Sequence, residues 1–533
     1  MARKSIPVFQ REATGLVREI GAFNAFATTI GVTNIGLGIA SGLAFVPFVW
    51  PGSNVALSYA IFLPLMAIHA LMYTMMSWSM PRSGGDYVWS GRILHPAIGS
   101  MNGLSIMLLG ALANGAFAAY IITYGLAAIF VSTGLLTSNP GMVLWAQSLF
   151  SNNYLVLVLG TLILAVSGAL MILGLRFYLK VQMVLWIIAS VGTIAAIAIF
   201  ASYSPTQFAL NFDHYLGSYT TYNGMIQTAK SAGFSYVPAA FGATLGATAY
   251  AWWSYSGYQY GGFFAGELKN IKNTLLWSSI GNLIYSGIFY VAFAYYFVNA
   301  VGSDWLTHAA YVAFGTSSYN LPISFSPYFF ASVMSNNVGV AFLINFSLLA
   351  WGIYEFPPLI LGYTRIIFGA SFDRILPSRL ADVSERFHTP VKATILATFL
   401  MWIGLVLGLY AGIVFAEMNT IFGLCIVYGI GCITAIVFPF VKKSLYNASP
   451  IAPFKLGRVP LISIFGAISF VFFVYLGSAV GFNSSLAPTS VTSYVSLIVI
   501  FAVLGSLFYI SRAYHKIKDG FDIMLSFKEL PPE

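Results

Sequence analysis

Charged side chains are scarce in this sequence. Asp, Glu, Lys and Arg make up 7% of its 533 residues, whereas about a quarter of a soluble globular protein is charged. Hydrophobic residues make up 59%, and the mean hydropathy is +0.83. This composition excludes a soluble globule and predicts an integral membrane protein. The net charge of +9 does not indicate nucleic-acid binding, because the placement of such sparse charges matters more than their sum.

Residues for metal binding, redox chemistry and catalysis are also lacking. The only cysteines, Cys425 and Cys432, would lie roughly 10 Å apart on one helix, too far apart for a disulfide. His69 and His95 have no neighbouring ligand pattern, so we expect no metal site. No HExxH, paired-aspartate or Walker motif occurs. We therefore expect neither an enzyme nor a bound cofactor.

The long hydrophobic runs predict about twelve membrane-spanning helices in an all-α polytopic protein. About twenty apolar residues cross a bilayer as a helix. Runs of this kind lie near residues 22–48, 54–79, 97–131, 154–173, 181–203, 240–265, 276–300, 338–368, 391–411, 415–440, 460–481 and 491–512.

The basic residues predict the orientation of these spans. With both termini in the cytoplasm, roughly 23 of the 24 Lys and Arg residues fall on the cytoplasmic side, and only Lys230 faces out. We expect a multi-pass protein of the plasma membrane. Two outside segments, 204–239 and 301–337, are long and polar; either could hold short helices, although flexible loop is the expected structure for most of the first.

Two apolar segments are interrupted by glycine and polar residues. The first is Ile30 to Gly42, and the second is Gly242 to Lys272, which includes an aromatic and hydroxylated run. A helix broken at membrane depth leaves free backbone groups, which are tolerated where they line a cavity or meet a ligand. The alternative is that the glycines serve close helix packing and the aromatics an interfacial belt. The presence of two such segments favours a transporter site.

The spacing of the two segments predicts an inverted repeat. If spans 1–5 and 6–10 are two halves, span 1 runs outward and span 6 inward, as an axis in the membrane plane requires. The expected divisions are a cytoplasmic N-terminal segment 1–21, a first repeat 22–203, an extracellular loop 204–239, a second repeat 240–440, a two-span appendage 441–512 and a cytoplasmic tail 513–533.

Four stretches resemble the amino acid/polyamine/organocation superfamily of secondary transporters. They are MPRSGGDYVWSGRILHP at Met80 to Pro96, the aromatic run from Trp252 to Tyr258 followed by Glu267, Lys269 and Asn270, the loop from Tyr363 to Lys392, and, more loosely, the glycines of span 1. The resemblance implies a leucine-transporter-type fold, a five-plus-five inverted repeat in which helices 1 and 6 are broken. It also implies an amino acid substrate.

The resemblance and helix-end electrostatics together indicate candidate substrate-binding residues. The start of a half-helix presents free amides to a carboxylate, and the end of one presents carbonyls to an ammonium group. The expected residues are Thr33, Asn34, Ile35, Gly36, Leu37, Gly38, Ser41 and Gly42 in span 1, and Ala251, Trp252, Trp253, Ser254, Tyr255, Gly257 and Tyr258 in span 6. Trp253, Tyr255 and Tyr258 could form a cavity wall or gate, or simply pack.

Glu355 is an acid deep within span 8, directly before Pro357 and Pro358. A buried acid inside a membrane is costly, so we expect a role in proton or cation coupling. The alternative is a structural pair with a base such as Arg365. Sodium coupling in this fold often uses a span 8 hydroxyl, for which Ser347 is the candidate, although such serines commonly bond their own backbone. The span 5 lysine of some proton-coupled relatives is absent.

A cytoplasmic charge network is also expected to gate the inner side. Its members would be Asp86, Arg82, Arg92, Glu267 and Asp373, although the arginines could serve only to fix topology. The sequence favours a secondary transporter that works by alternating access and is driven by H+ or Na+. An amino acid exchanger and a permease-like sensor or partner-dependent subunit remain alternatives. We expect contacts with membrane lipid and a monomer or homodimer.

Overall fold

The computed structural model of the chain describes residues 16, 18–483 and 491–528. Most of the predicted N-terminal segment 1–21, and residues 529–533 of the predicted tail, lie outside the described residues. The described part is mainly helical. A helix satisfies its own backbone hydrogen bonds, which hydrocarbon cannot do.

The helices that precede the second glycine-interrupted segment range in length from the 8 residues of α4 to the 27 residues of α9. They are α1 (Ala22–Thr33), α2 (Ile35–Val49), α3 (Val55–Ser79), α4 (Asp86–Ile93), α5 (Pro96–Tyr120), α6 (Ala127–Leu136), α7 (Pro140–Ser151), α8 (Asn153–Ile172), α9 (Leu175–Ala201), α10 (Pro205–Leu216) and α11 (Tyr222–Ser231).

The remaining helices begin at the second interrupted segment. They are α12 (Phe241–Tyr255), α13 (Ile271–Leu276), α14 (Asn282–Val301), α15 (Ser303–Gly315), α16 (Pro327–Met334), α17 (Val338–Phe372), α18 (Val391–Leu407), α19 (Ile413–Val441), α20 (Lys443–Ala448), α21 (Leu461–Gly481) and α22 (Val491–Lys518).

Shorter elements connect or extend these helices. The π-helical turns are Ile121–Leu126, Trp277–Gly281 and Gly408–Gly412, and the 3₁₀ turns are Tyr260–Gly262, Ala265–Glu267, Ser378–Ala381 and Ile523–Phe527. A small antiparallel hairpin joins β1 (Lys455–Leu456) to β2 (Val459–Pro460), with Lys455 opposite Pro460 and Leu456 opposite Val459.

Eleven helices in the described part of the chain are long and apolar enough to cross a membrane. They are α1 with α2, α3, α5 with α6, α8, α9, α13 with α14, α17, α18, α19, α21 and α22. The sequence predicts about twelve, and the difference lies at 240–265. There α12 ends after 15 residues and the chain continues in turns. Hydropathy does not detect this end, because the turn residues are as apolar and aromatic as the helix.

Polar residues at the helix starts explain where many helices begin. Asparagine side chains accept a hydrogen bond from a backbone amide at the starts of α2, α3, α7, α8 and α17. Such a cap satisfies one of the amides that the first turn leaves free. Proline occupies the first turn of α5, α7, α10 and α16, where its missing N–H costs nothing.

The predicted flexible loop at 204–239 is instead largely helical. Helix α10 begins with a capping box in which Ser204 and Gln207 bond each other's backbone amides. Helix α11 packs against α15, and the Tyr222 hydroxyl donates to the Val301 carbonyl over 2.8 Å. These contacts make a helical layer on one end of the bundle.

The opposite end of the bundle holds several charged residues, and we refer to it as the basic face. It is defined by Arg82, Arg92, Glu267, Lys269 and Asp373. Here the segment before α1 is hydrogen-bonded to the segment after α12: the backbone N–H of Lys269 donates to the Ile20 carbonyl over 2.9 Å. Helix α17 runs through the bundle and packs against α1, α5 and α9. The first and second halves of the chain are thereby held together around α17.

Candidate functional site

The first membrane span is interrupted at Asn34. Helix α1 ends at Thr33, Asn34 adopts a left-handed conformation (φ 42°), and α2 begins at Ile35. Asparagine tolerates this conformation better than most residues, because its short amide bonds locally. Here its Oδ1 accepts from the Leu37 amide over 3.1 Å. The sequence suggested an interruption at one of the glycines of this segment, but the interruption lies at Asn34 instead.

The glycines around this interruption are helical and permit close contacts. A Cβ atom at Gly36 would overlap the Trp351 side chain, and one at Gly38 would lie 2.5 Å from the Tyr290 hydroxyl. Close packing, which the sequence left open as the alternative, is the structural role of these two glycines.

The second interrupted segment meets the first at Gly257. Helix α12 ends at Tyr255, and the following residues form only short 3₁₀ turns as far as Glu267. A Cβ atom at Gly257 would overlap Thr33 Oγ1. Only glycine therefore lets the chain after α12 pass directly beside the end of α1.

A central cavity lies where these two helix ends meet. Its volume is about 40 Å³, room for a few water molecules and below the roughly 300–1,000 Å³ of pockets that enclose a small molecule. It is lined by Val32, Thr33, Asn34, Leu37, Gly38, Ser41, Ile106, Gly110, Asn114, Phe117, Trp253, Ser254, Ser256, Tyr260, Glu355, Leu359, Leu424 and Tyr428. The first turn of α2 and the last turn of α12 both contribute to this wall.

Glu355 supplies a carboxyl group to the cavity wall. It lies within α17 and is 3% exposed. The Asn34 side-chain amide donates to Glu355 Oε2 over 2.7 Å. Arg365, the predicted alternative partner, instead donates to both carboxylate oxygens of Glu267, over 2.5 and 2.8 Å. Among the described residues, no Lys or Arg forms an ion pair with Glu355.

Comparison with known families identifies the chain. The sequence profile described as "Amino acid permease" matches residues 27–519. The chain belongs to the amino acid permease family. No curated protein sequence matches it. This permease is therefore a multi-pass membrane protein and an amino acid transporter, in agreement with the resemblance found in its motifs.

About half of the predicted substrate-binding residues line the cavity of the permease. They are Thr33, Asn34, Leu37, Gly38, Ser41, Trp253 and Ser254. The others point elsewhere and are Ile35, Gly36, Gly42, Ala251, Trp252, Tyr255, Gly257 and Tyr258. A helix turns by about 100° per residue, so a continuous run of residues cannot share one wall.

The aromatic residues that do not line the cavity form a packed layer behind it. Trp252 lies against Tyr428 and Phe473, with ring centroids 5.9 and 5.4 Å apart. Tyr258 bonds His69 Nδ1 over 2.6 Å, and the Tyr255 hydroxyl donates to the Tyr59 carbonyl over 3.3 Å. These residues support the wall rather than form it.

The sequence analysis missed the contributions of spans outside the two interrupted segments. Missed residues there are Ile106, Gly110, Asn114, Phe117, Leu359, Leu424 and Tyr428; within the two segments the analysis also missed Val32, Ser256 and Tyr260. Asn114 could have been detected from the sequence, because it is a polar side chain within an apolar span. Its amide donates to the Tyr363 hydroxyl over 2.9 Å.

The predicted sodium ligand Ser347 lies outside the cavity wall. Its hydroxyl donates to the Ile344 carbonyl of its own helix over 2.7 Å. A Cβ atom at Gly192 of α9 would overlap the Ser347 side chain, so this serine serves the α9–α17 contact.

Two ion pairs are formed by members of the predicted charge network together with Arg365. One pair is Glu267 with Arg365; the other is Arg92 with Asp373, at 2.9 Å. Asp373 also accepts from the Tyr87 hydroxyl over 2.9 Å. Arg82 donates to the Pro81 carbonyl over 3.0 Å. Asp86 joins neither pair and instead accepts from the Tyr73 hydroxyl over 2.6 Å.

Proposed function

We propose that this permease is a proton-coupled symporter that carries amino acids by alternating access, with Glu355 as the coupling carboxyl. The observation that supports this proposal is the position of Glu355 in the wall of the central cavity, bonded to Asn34 at the helix interruption. A carboxyl at this depth is costly unless it is protonated, paired or hydrated. A proton bound there together with substrate removes that cost.

Proton coupling is favoured over sodium coupling by the surroundings of Ser347. Sodium needs several oxygen ligands around one point, and the proposed span 8 hydroxyl is turned toward its own helix backbone. Glu355, in contrast, needs no further ligand to carry a proton.

We propose that the substrate zwitterion lies between the two helix ends. The first turn of α2 carries the positive end of its helix dipole and would hold the carboxylate beside Leu37 and Gly38. The last turn of α12 carries the negative end and would hold the ammonium group beside Trp253 and Ser254. Both turns contribute to the cavity wall.

We also propose the five-plus-five inverted repeat and a cytoplasmic location for the basic face. The interruptions at Asn34 and after Tyr255 fall in the first span of each proposed half. The clustering of basic residues on one face supports the orientation in a plasma membrane.

A second candidate function uses the same carboxyl differently. Glu355 could bind a positively charged group of the substrate and make this permease a cationic amino acid transporter or exchanger. The observation that favours this alternative is again the exposure of Glu355 to the cavity, since an acid in a substrate site pairs readily with Lys-like or Arg-like ligands.

The test is uptake of labelled amino acids into proteoliposomes driven by a pH gradient, a sodium gradient or internal unlabelled amino acid. Proton symport predicts accumulation under the pH gradient. The Glu355→Gln variant should lose this accumulation, and Glu385→Gln, an exposed loop acid, should retain it. A normally expressed Glu355→Gln protein with an unchanged pH profile would overturn the proposal. If Glu355→Gln instead loses only the uptake of cationic amino acids and keeps the wild-type pH profile, the second candidate function is established.

A further inference from the structure

A second carboxyl, that of Asp86, is buried between the central cavity and the basic face. Asp86 begins α4 and has 0% exposure. Its Oδ2 accepts from the Tyr73 hydroxyl over 2.6 Å. Its Oδ1 has no hydrogen-bond partner among the described residues, and it faces Gly431, where a Cβ atom would lie 2.5 Å away.

No cation in the described part of the chain balances Asp86. On its own helix, Arg92 is held by Asp373. Tyr73 of α3 lies beside Asp86 and packs against His69. Tyr428 and Cys432 of α19 also lie near Asp86. From α17, Arg365 is held by Glu267. The titratable groups nearest to Asp86 are therefore phenol and thiol side chains, with the His69 imidazole behind Tyr73.

Burial in these surroundings raises the pKa of Asp86 to about 7, and the hydrogen bond from Tyr73 partly opposes this rise. An exposed aspartate has an ordinary pKa near 3.8. The arrangement with Asp86 buried, which we call the closed arrangement, therefore binds a proton that a hydrated Asp86 releases. As the pH at the basic face rises from 3.8 to about 7, the closed arrangement therefore loses stability relative to an open one, and above about 7 the difference no longer changes.

Asp86 is separated from the cavity by two tyrosines. Tyr428 lines the cavity, and its hydroxyl accepts from Gln259 over 3.0 Å. The Tyr73 and Tyr428 rings lie 6.1 Å apart between their centroids. Asp86 itself does not line the cavity and therefore is not a substrate ligand in this arrangement.

We propose that Asp86 is a second proton-binding site, which holds a proton while the basic face is closed over the cavity and releases it to water when that face opens. In the release step the carboxyl O–H bond breaks, the proton passes to a water molecule, and a carboxylate remains. This inference rests on the proposed alternating access, in which Glu355 takes up a proton with substrate.

Infrared difference spectroscopy of the purified permease tests the site directly. The C=O stretch of a protonated carboxyl should disappear as the pH is raised, with a midpoint near 7. Asp86→Asn should lack this transition, whereas Glu355→Gln should retain it. Tyr73→Phe should move the midpoint upward, because the lost hydrogen bond favours the charged form. Asp382→Asn, at an exposed acid, should keep the wild-type midpoint.

Tyr73→Phe keeps the proposal testable if Asp86→Asn fails to fold. The proposal is overturned if no carboxyl band titrates near pH 7, or if Tyr73→Phe leaves the midpoint in place. A second measurement is exchange of labelled substrate at equal concentrations with only the pH at the basic face varied. The exchange rate of the wild type should rise as the pH approaches about 7 and level off above it, and this rise should be lost in Asp86→Asn.

These measurements separate the two proposals. If a pH gradient drives no uptake but the Asp86 band titrates near pH 7, proton symport fails and the site stands. If a pH gradient drives uptake and the band does not titrate, the Asp86 site fails and proton symport stands.

Discussion

The side-chain amide of Asn34 donates to the carboxyl of Glu355 over 2.7 Å, across 321 positions of sequence. Through this bond the interruption of the first membrane span is tied to the middle of α17. Asn34 also caps α2 through its Oδ1, so one side chain holds both the helix start and the acid. The bond lies in the wall of the central cavity.

Two substitutions at Asn34 separate its backbone role from its side-chain role. Asn34→Gly and Asn34→Ala both remove the bond to Glu355, so both should weaken uptake driven by a pH gradient. Asn34→Ala should also unfold more easily by about 1–2 kcal/mol, because alanine resists the left-handed conformation that glycine adopts freely. Thermal unfolding in detergent and proteoliposome uptake measure the two effects.

Asn336 provides a matched control for this comparison. It has the same left-handed conformation (φ 48°) but is exposed on the other end of the bundle. Asn336→Ala should show the stability loss relative to Asn336→Gly without any change in pH-driven uptake. Equal stability of the two Asn34 variants would mean that the left-handed backbone at Asn34 carries no cost.

The buried Glu267–Arg365 pair should show strong coupling. Both side chains are buried, and the guanidinium donates to both carboxylate oxygens. Glu267→Gln alone leaves a buried cation without its partner, at a cost of about 3–5 kcal/mol. Adding Arg365→Met should recover part of that loss. A double-mutant cycle of unfolding free energies measures the coupling.

The exposed Lys392–Asp382 pair is the control for this cycle. Both of its side chains are more than half exposed, so Asp382→Asn should change stability by about 1 kcal/mol or less. Additive effects of Glu267→Gln and Arg365→Met would refute the pairing.

The sequence predicted the class, the family resemblance and most of the spans, because these depend on local composition and on motifs that can be read directly. It did not predict Asn34 as the interruption, since four nearby glycines offered a stronger helix-breaking signal. The bond from Asn34 to Glu355 and the wall residues Asn114 and Tyr428 depend on how distant helices pack. Such contacts leave no periodic pattern in a single sequence.

The crossing of α5 and α18 should tolerate no added methyl group. A Cβ atom at Gly404 would overlap the Leu112 carbonyl oxygen, and one at Gly115 would overlap that of Met401. The obstacle in each case is backbone, which cannot rotate away. Gly404→Ala or Gly115→Ala should therefore destabilise the fold by about 1–3 kcal/mol in thermal unfolding.

Gly429 in α19 is the matched position for these two variants. The nearest atom to a Cβ there belongs to Phe470, at 3.8 Å, which is ordinary contact. Gly429→Ala should be neutral, or stabilising by up to about 1 kcal/mol through helix propensity. A Gly404→Ala protein as stable as Gly429→Ala would contradict the close crossing.

The C-terminal 3₁₀ turn Ile523–Phe527 should detach when Phe527 is truncated. The Phe527 ring is buried beneath the Arg92 guanidinium, whose central carbon lies 5.1 Å from the ring centroid. A Cβ atom at Gly91 would lie 3.1 Å from the ring, so α4 has a glycine where the ring packs. Phe527→Ala should lose about 2 kcal/mol of docking free energy and raise the detached fraction roughly thirtyfold.

Limited trypsin digestion after Lys518 measures this detachment, because cleavage follows the population of the open form. Leu525 belongs to the same turn but is 51% exposed, so Leu525→Ala should release the tail no faster than the wild type. The Asp522–Arg512 pair, at 2.7 Å, remains in both variants and holds the start of the turn. Any difference between them therefore reports the packing of the Phe527 ring against α4 and its neighbours, and equal release would show that this packing does not hold the tail.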